Sequence, residues 1–81
     1  GGSAADAEHL SAELLGKYLK NRKAYPAISI TSNTSSLTAI SNDFGYENSF
    51  TRQIQGLAIK GDVVVGISTS MQSKNINKGA L

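Results

Sequence analysis

Val63-Val64-Val65-Gly66-Ile67 is a continuous apolar run, and it constrains the fold more than any other feature of the chain. Uninterrupted apolar residues suit a strand buried on both faces, with neighbours at its edges and helices above and below. One other strand candidate exists: Ala27-Ile28-Ser29-Ile30-Thr31, where isoleucines alternate with small or polar residues. Two strands do not make a sheet covered on both sides. The chain therefore reads as an interior slice of a larger α/β domain. No apolar run approaches the ~20 residues of a membrane helix.

Helical signals surround the two strands. Ser3-Ala4-Ala5-Asp6 matches a capping box. From there Ala7, Leu10, Leu14 and Tyr18 form one stripe, widened by Leu15 and Leu19, which predicts a helix to about Lys20. Residues 21–25 are a polar exit, and Pro26 blocks further helix. Asn33-Thr34-Ser35-Ser36 can cap a second helix through about Ile40. Residues 41–47 read as a turn-rich loop around Gly45, and residues 49–57 as a third helix. Gly61-Asp62 ends the connection, residues 68–73 form a hydroxyl-rich loop, and a last helix is expected from about Lys74.

Composition narrows the classes. The 81 residues contain no Cys and no Trp, so disulfide scaffolds and thiolate metal sites are excluded. A chain this short buries only about 60–65% of its extended surface. The aromatics Tyr18, Tyr25, Phe44, Tyr46 and Phe50 make a thin core, so the domain is either marginal or incomplete. The net charge is +2, and the one basic cluster is Lys17, Lys20, Arg22 and Lys23 at a helix end, where cations offset the helix dipole. Neither a nucleic-acid nor a membrane partner is expected. With no secretory leader in the residues and no cysteine, a cytoplasmic location is the expectation.

Three groups of residues can carry chemistry. His9 and Glu13 lie one helical turn apart, opposite the apolar stripe, beside the small residues Ala5, Ala12 and Gly16. Such a pair can share a divalent metal or act as base and orienting partner. Spacing alone favours an ordinary i,i+4 contact on a solvated face. Ser68, Thr69, Ser70 and Ser73 follow a strand and precede a helix, which suits either a phosphate cradle or a capping loop. Gly1-Gly2-Ser3 is a second turn suited to a phosphate or hydroxyl ligand, although Gly-Gly-Ser is also a common linker. Asn42 and Asp43 can grip sugar hydroxyls, but an Asx turn is the simpler reading.

The segments GGSAADAEHLSAEL, PAISITSNTSSLTAISNDFGYE, FTRQ and GDVVVGISTSMQS resemble, in order and spacing, those of phosphoheptose isomerases. These are sedoheptulose 7-phosphate isomerases of the SIS domain family. The resemblance spans essentially the whole chain. It implies a three-layer αβα fold with a parallel sheet, in which residues 1–81 are the central part of a single SIS domain. The family's first strand and C-terminal half lie outside these residues. It further implies an aldose–ketose isomerase that forms D-glycero-D-manno-heptose 7-phosphate through an enediol, toward lipopolysaccharide or capsule heptoses.

By the same resemblance His9 is a zinc ligand, and Glu13 both touches zinc and serves as the catalytic acid/base. Gly1, Gly2 and Ser3 match the substrate turn, Asn42 and Asp43 the loop near the sugar, and Ser68, Thr69, Ser70 and Ser73 the phosphate loop. One zinc per subunit is implied, with its remaining ligands outside this chain, in a homotetramer with active sites at subunit contacts. The 81 residues alone are expected to be inactive. Met71 and Gln72 stand where the family usually has Gly and Asn, Asn33 where many members have Asp, and Lys17 where many have Arg. The alternatives are a SIS paralogue acting on another sugar phosphate, motivated by Met71, and a non-catalytic SIS binding module of the replication-initiator-associating type. Glu13 argues against the module, because those relatives typically lose it.

Overall fold

Ala- and Leu-rich sequence with no β-branched residue carries the first helix, α1, over Gly2–Leu15. A computed structural model describes residues 1–16, 23–70 and 72–79. The expected helical residues Tyr18, Leu19 and Lys20, the basic residues Lys17 and Arg22, and Met71 lie outside the described residues. The capping box does not form. Gly1 is the N-cap, no side chain caps the helix, and Ser3 sits inside the first turn. The reason is that the cap position falls two residues before Ser3, at Gly1, whose carbonyl already accepts from the Ala5 N–H at 3.3 Å.

The second helix, α2, spans Thr34–Phe44. Asn33 caps it as expected, its side chain accepting from the Ser36 N–H at 3.0 Å. The helix runs four residues past Ile40, so residues 41–44 are not loop. Ser41 Oγ donates back to the Leu37 carbonyl at 2.6 Å, which satisfies the hydroxyl inside the helix rather than in a turn. Gly45 ends α2 with φ of 90°, a conformation costly for any residue with a Cβ. A single 3-10 turn, Tyr46–Asn48, leads into α3, Ser49–Leu57, whose bounds match the sequence reading. The last helix, α4, spans Lys74–Gly79, also as expected.

α2, the 3-10 turn, α3 and α4 pack on one another, whereas α1 packs on none of them. Arg52 of α3 lies 4.2 Å above the Phe44 ring of α2, a cation–π contact worth about 0.5–1 kcal/mol at an exposed site. α1 is joined to the chain that follows it by polar contacts. The Tyr25 N–H donates to the Leu14 carbonyl at 3.0 Å, and Thr31 Oγ1 donates to Glu8 Oε2 at 3.3 Å.

The expected strands at residues 27–31 and 63–67 do not form: among the described residues there are helices and no strand. A strand is defined by its ladder, and neither segment finds one; the first instead turns at residues 30–31, where the Ser32 N–H donates to the Ser29 carbonyl at 3.2 Å. Their side chains show the consequence. Val63, Val64 and Val65 are 87%, 56% and 63% exposed, and Ile28 is 68% exposed. No apolar residue is buried among those described; the buried ones are Ser29, Ser49, Gln53 and Asn75.

The radius of gyration is 13.4 Å, against about 12 Å for a compact chain of this length. The accessible surface is 6260 Å², against about 4,700 Å² for a folded protein of this mass. The 81-residue polypeptide by itself should therefore bind a hydrophobic dye such as ANS strongly and melt without a cooperative transition. Circular dichroism during heating checks this, and a sigmoidal melt without dye binding would contradict it.

Candidate active site

α1 brings His9 and Glu13 together. Four residues of helix place them one turn apart, and the His9 Nε2–H donates to Glu13 Oε1 at 2.9 Å. The imidazole side chain is 75% exposed and the carboxylate 35%. Together with Asp6 and Leu10 they line a shallow open depression on the helix surface. Asp6 precedes His9 by three residues and so shares its face; the spacing was the available signal, and sequence reasoning used Asp6 only as a cap.

The donor set suits zinc. Ligands at 2.0–2.2 Å from a tetrahedral ion sit about 3.3 Å apart, a few tenths of an ångström beyond the present separation. His9 would have to carry its hydrogen on Nδ1 rather than Nε2 to ligate through Nε2. A catalytic zinc takes three protein ligands, and among the described residues no three His, Cys, Asp or Glu side chains are grouped to hold a metal. His9 and Glu13 thus offer two donors of types that zinc accepts, one fewer than such a site takes.

The hydroxyl loop is occupied with its own backbone. Ser68 Oγ donates to the Ser70 carbonyl at 2.6 Å and accepts from the Ser70 N–H at 3.2 Å. Ser70 Oγ accepts from the Gln72 N–H at 3.0 Å, and Ser73 Oγ caps α4 by accepting from the Ile76 N–H at 3.3 Å. Thr69 is exposed. The Ser68 and Ser70 turns preshape the loop, and of its hydroxyls only that of Ser73 caps a helix.

Asn42 and Asp43, expected in a loop, lie instead in the last turns of α2 and are exposed. Gly1 and Gly2 open α1, and a Cβ added to either would meet nothing within 4 Å. Since α1 packs on no other helix, helix packing does not join the His9–Glu13 pair to Asn42 and Asp43 or to the 68–73 loop.

The sequence reading missed a polar clamp that holds α4 in place. Lys78 Nζ reaches Glu47 Oε1 at 3.1 Å and Asn48 Oδ1 at 3.4 Å, and Lys74 Nζ lies 3.7 Å from Glu47 Oε2. Residues 47 and 78 are too far apart in sequence for any local pattern to have paired them. The hydrogen bond from Lys78, its charge and that of Lys74 hold the Glu47 carboxyl below its usual range. A lowered folded-state pKa means that this stabilisation is complete above the ordinary carboxylate range and is lost as pH falls through the lowered value. In the full-length protein, Glu47→Gln should lower the thermal midpoint slightly at pH 7. The gap to the parent should close as the pH falls below the ordinary carboxylate range, because the parent's carboxylate is then protonated too. Parallel melts of the two proteins across pH 3–7 read this out.

Comparison with known proteins gives a consistent result. The SIS domain family model matches residues 1–81. The chain is 62% identical to the phosphoheptose isomerase of Geotalea daltonii over 81 residues, which is all of this chain and 42% of that protein. It is 60% identical over 79 residues to the probable phosphoheptose isomerase of Thermoplasma acidophilum, covering 98% of this chain and 43% of that one. The structure of phosphoheptose isomerase from Neisseria gonorrhoeae superposes with a TM-score of 0.84 at 46% identity, covering 99% of this chain and 40% of that one. The chain thus spans about two fifths of the length of the relatives it matches.

Proposed function

The chain belongs to the SIS domain family, and from that premise we propose that it is the central part of a single SIS domain in a phosphoheptose isomerase. The observation that carries this reading is the His9–Glu13 pair, 2.9 Å apart on one face of α1, in a chain 62% identical along its whole length to such an isomerase. In the whole domain, residues 27–31 and 63–67 become strands of a parallel sheet between helical layers. The exposed valines of the second segment support this, since a sheet would cover them.

The reaction is an aldose–ketose exchange between sedoheptulose 7-phosphate and D-glycero-D-manno-heptose 7-phosphate. A Glu13 carboxylate oxygen takes a proton from C1 of the ketose, and the C1–H electron pair becomes the C1–C2 double bond of an enediolate whose charge rests on O2. The carboxyl returns that proton to C2 while the O1 proton passes to O2, which leaves the aldehyde at C1; no atom or electron is gained or lost. His9 Nε2 and Glu13 Oε1 are the donors this chain offers to zinc, which when bound polarises the substrate carbonyl. Gly1, Gly2, Ser3, Asn42 and Asp43 face the sugar, and Ser68, Thr69, Ser70 and Ser73 take the phosphate. The product serves bacterial surface heptoses, and the enzyme works as a cytoplasmic homotetramer. Among the described residues no helix is long and apolar enough to cross a membrane. A second reading, a different sugar phosphate, is favoured by Met71-Gln72 in the phosphate loop, because Met adds bulk where Gly allows close approach.

In the full-length protein, Glu13→Gln should cut sedoheptulose 7-phosphate isomerisation by about 10²–10⁴-fold and abolish deuterium exchange at C2 in heavy water. His9→Ala should lower the zinc bound per subunit. Turnover of Glu13→Gln at the parental rate would falsify the assignment of Glu13 as the proton carrier.

A further inference from the structure

Asn75 is 4% exposed, one of only four buried residues among those described. Its Oδ1 accepts from the Phe50 N–H at 3.3 Å. Phe50 is the second residue of α3, where a backbone N–H has no partner within its own helix. The cap position of α3, Asn48, makes no side-chain cap. Its amide instead donates to the Phe44 carbonyl at 2.7 Å, and its Oδ1 accepts from Lys78. The α3 N-terminus is therefore capped from another helix.

That cap sits two residues after Ser73, whose own Oγ caps α4. The 68–73 loop, α4 and the start of α3 are thereby linked through one buried carboxamide. The Glu47 clamp tethers the solvent side of the same helix. The Asn75 Nδ2 is buried and has no hydrogen-bond partner among the described residues, so the acceptor oxygen is the atom that the position uses there.

We infer that Asn75 is a positioning residue for the 68–73 loop: by capping α3 it fixes where α4 begins, and so where the loop's hydroxyls stand relative to a bound phosphate. This rests on the reading of that loop as the phosphate site. The role is one of binding geometry, remote from C1 and C2, so it falls on KM more than on kcat.

The test uses the full-length enzyme with sedoheptulose 7-phosphate as substrate and inorganic phosphate as competing inhibitor. Asn75→Ala should raise KM and the phosphate inhibition constant about tenfold each, with kcat within threefold of the parent and zinc content unchanged. Asn75→Asp keeps the acceptor and should restore both constants to within about twofold. Ser68→Ala is the control for the loop itself. If it weakens phosphate binding while Asn75→Ala leaves both constants alone, the positioning role is overturned and the phosphate reading stands. If neither variant changes phosphate binding, the loop is not the phosphate site and both fall. Loss of folded protein in both Asn75 variants also overturns the inference, since the residue would then serve stability alone.

Discussion

A strand must give its N–H and C=O groups to a neighbouring strand or leave them to water, and residues 63–67 find no partner strand among the described residues. The rest of the structure follows from that unmet requirement. Without a sheet the helices have no common apolar surface to cover, and Leu10, Leu15, Leu57 and Ile59 stay exposed beside the valines. What remains inside is polar. Gln53 is the clearest case: its Nε2 donates to the Ile30 carbonyl at 3.0 Å, one of the groups a ladder would otherwise satisfy. Asn75 does the equivalent for a helix terminus. Each of these bonds is worth about 1 kcal/mol net, and none replaces the hydrophobic burial that normally drives folding.

The parts of the fold that were legible in the sequence are those decided within a few residues. The Asn33 cap, the bounds of α3, the turn at Gly61 and the start of α4 all depend on local hydrogen bonds or on backbone freedom. Gly61 adopts φ of 98°, and Asp62 closes its turn by accepting from the Ile59 N–H at 2.8 Å. Where two local solutions compete, the sequence is ambiguous. The capping box at Ser3 lost to a helix start at Gly1, and the polar stretch from Ser41 continued as helix because its hydroxyl could bond backward along the helix. The strands were legible as sequence but are not realised as structure, since a ladder is a long-range property.

The candidate site divides along the same line. His9 and Glu13 are joined by helix geometry alone, so their spacing sufficed to place them. The Glu47 clamp and the Asn75 cap cross 25 to 31 residues of chain, and no local pattern announces them. The 68–73 loop lies between these cases. Its hydroxyls were recognisable, but whether they serve the backbone or a ligand is not a property of their order in the chain. The turns that they form are compatible with both, because a hydroxyl that fixes a loop leaves the loop's remaining groups in a defined arrangement.

Burial decides whether a His–Glu pair such as His9 and Glu13 can perform the proton transfer proposed for it. With the imidazole side chain 75% exposed, water competes for the charges and hydrogen bonds on which proton transfer to a sugar depends, and electrostatic terms shrink toward their aqueous values. An enediol also needs protection from solvent protons while it exists. α1 presents its pair on a face that no other described helix covers, and two donors are one fewer than a catalytic zinc takes. The small side chains beside the pair, Ala5, Ala12 and Gly16, suit a surface that another surface approaches closely. The acid/base role proposed for the pair thus needs a cover that the described residues do not supply, whereas the placement of the pair needs only helix geometry.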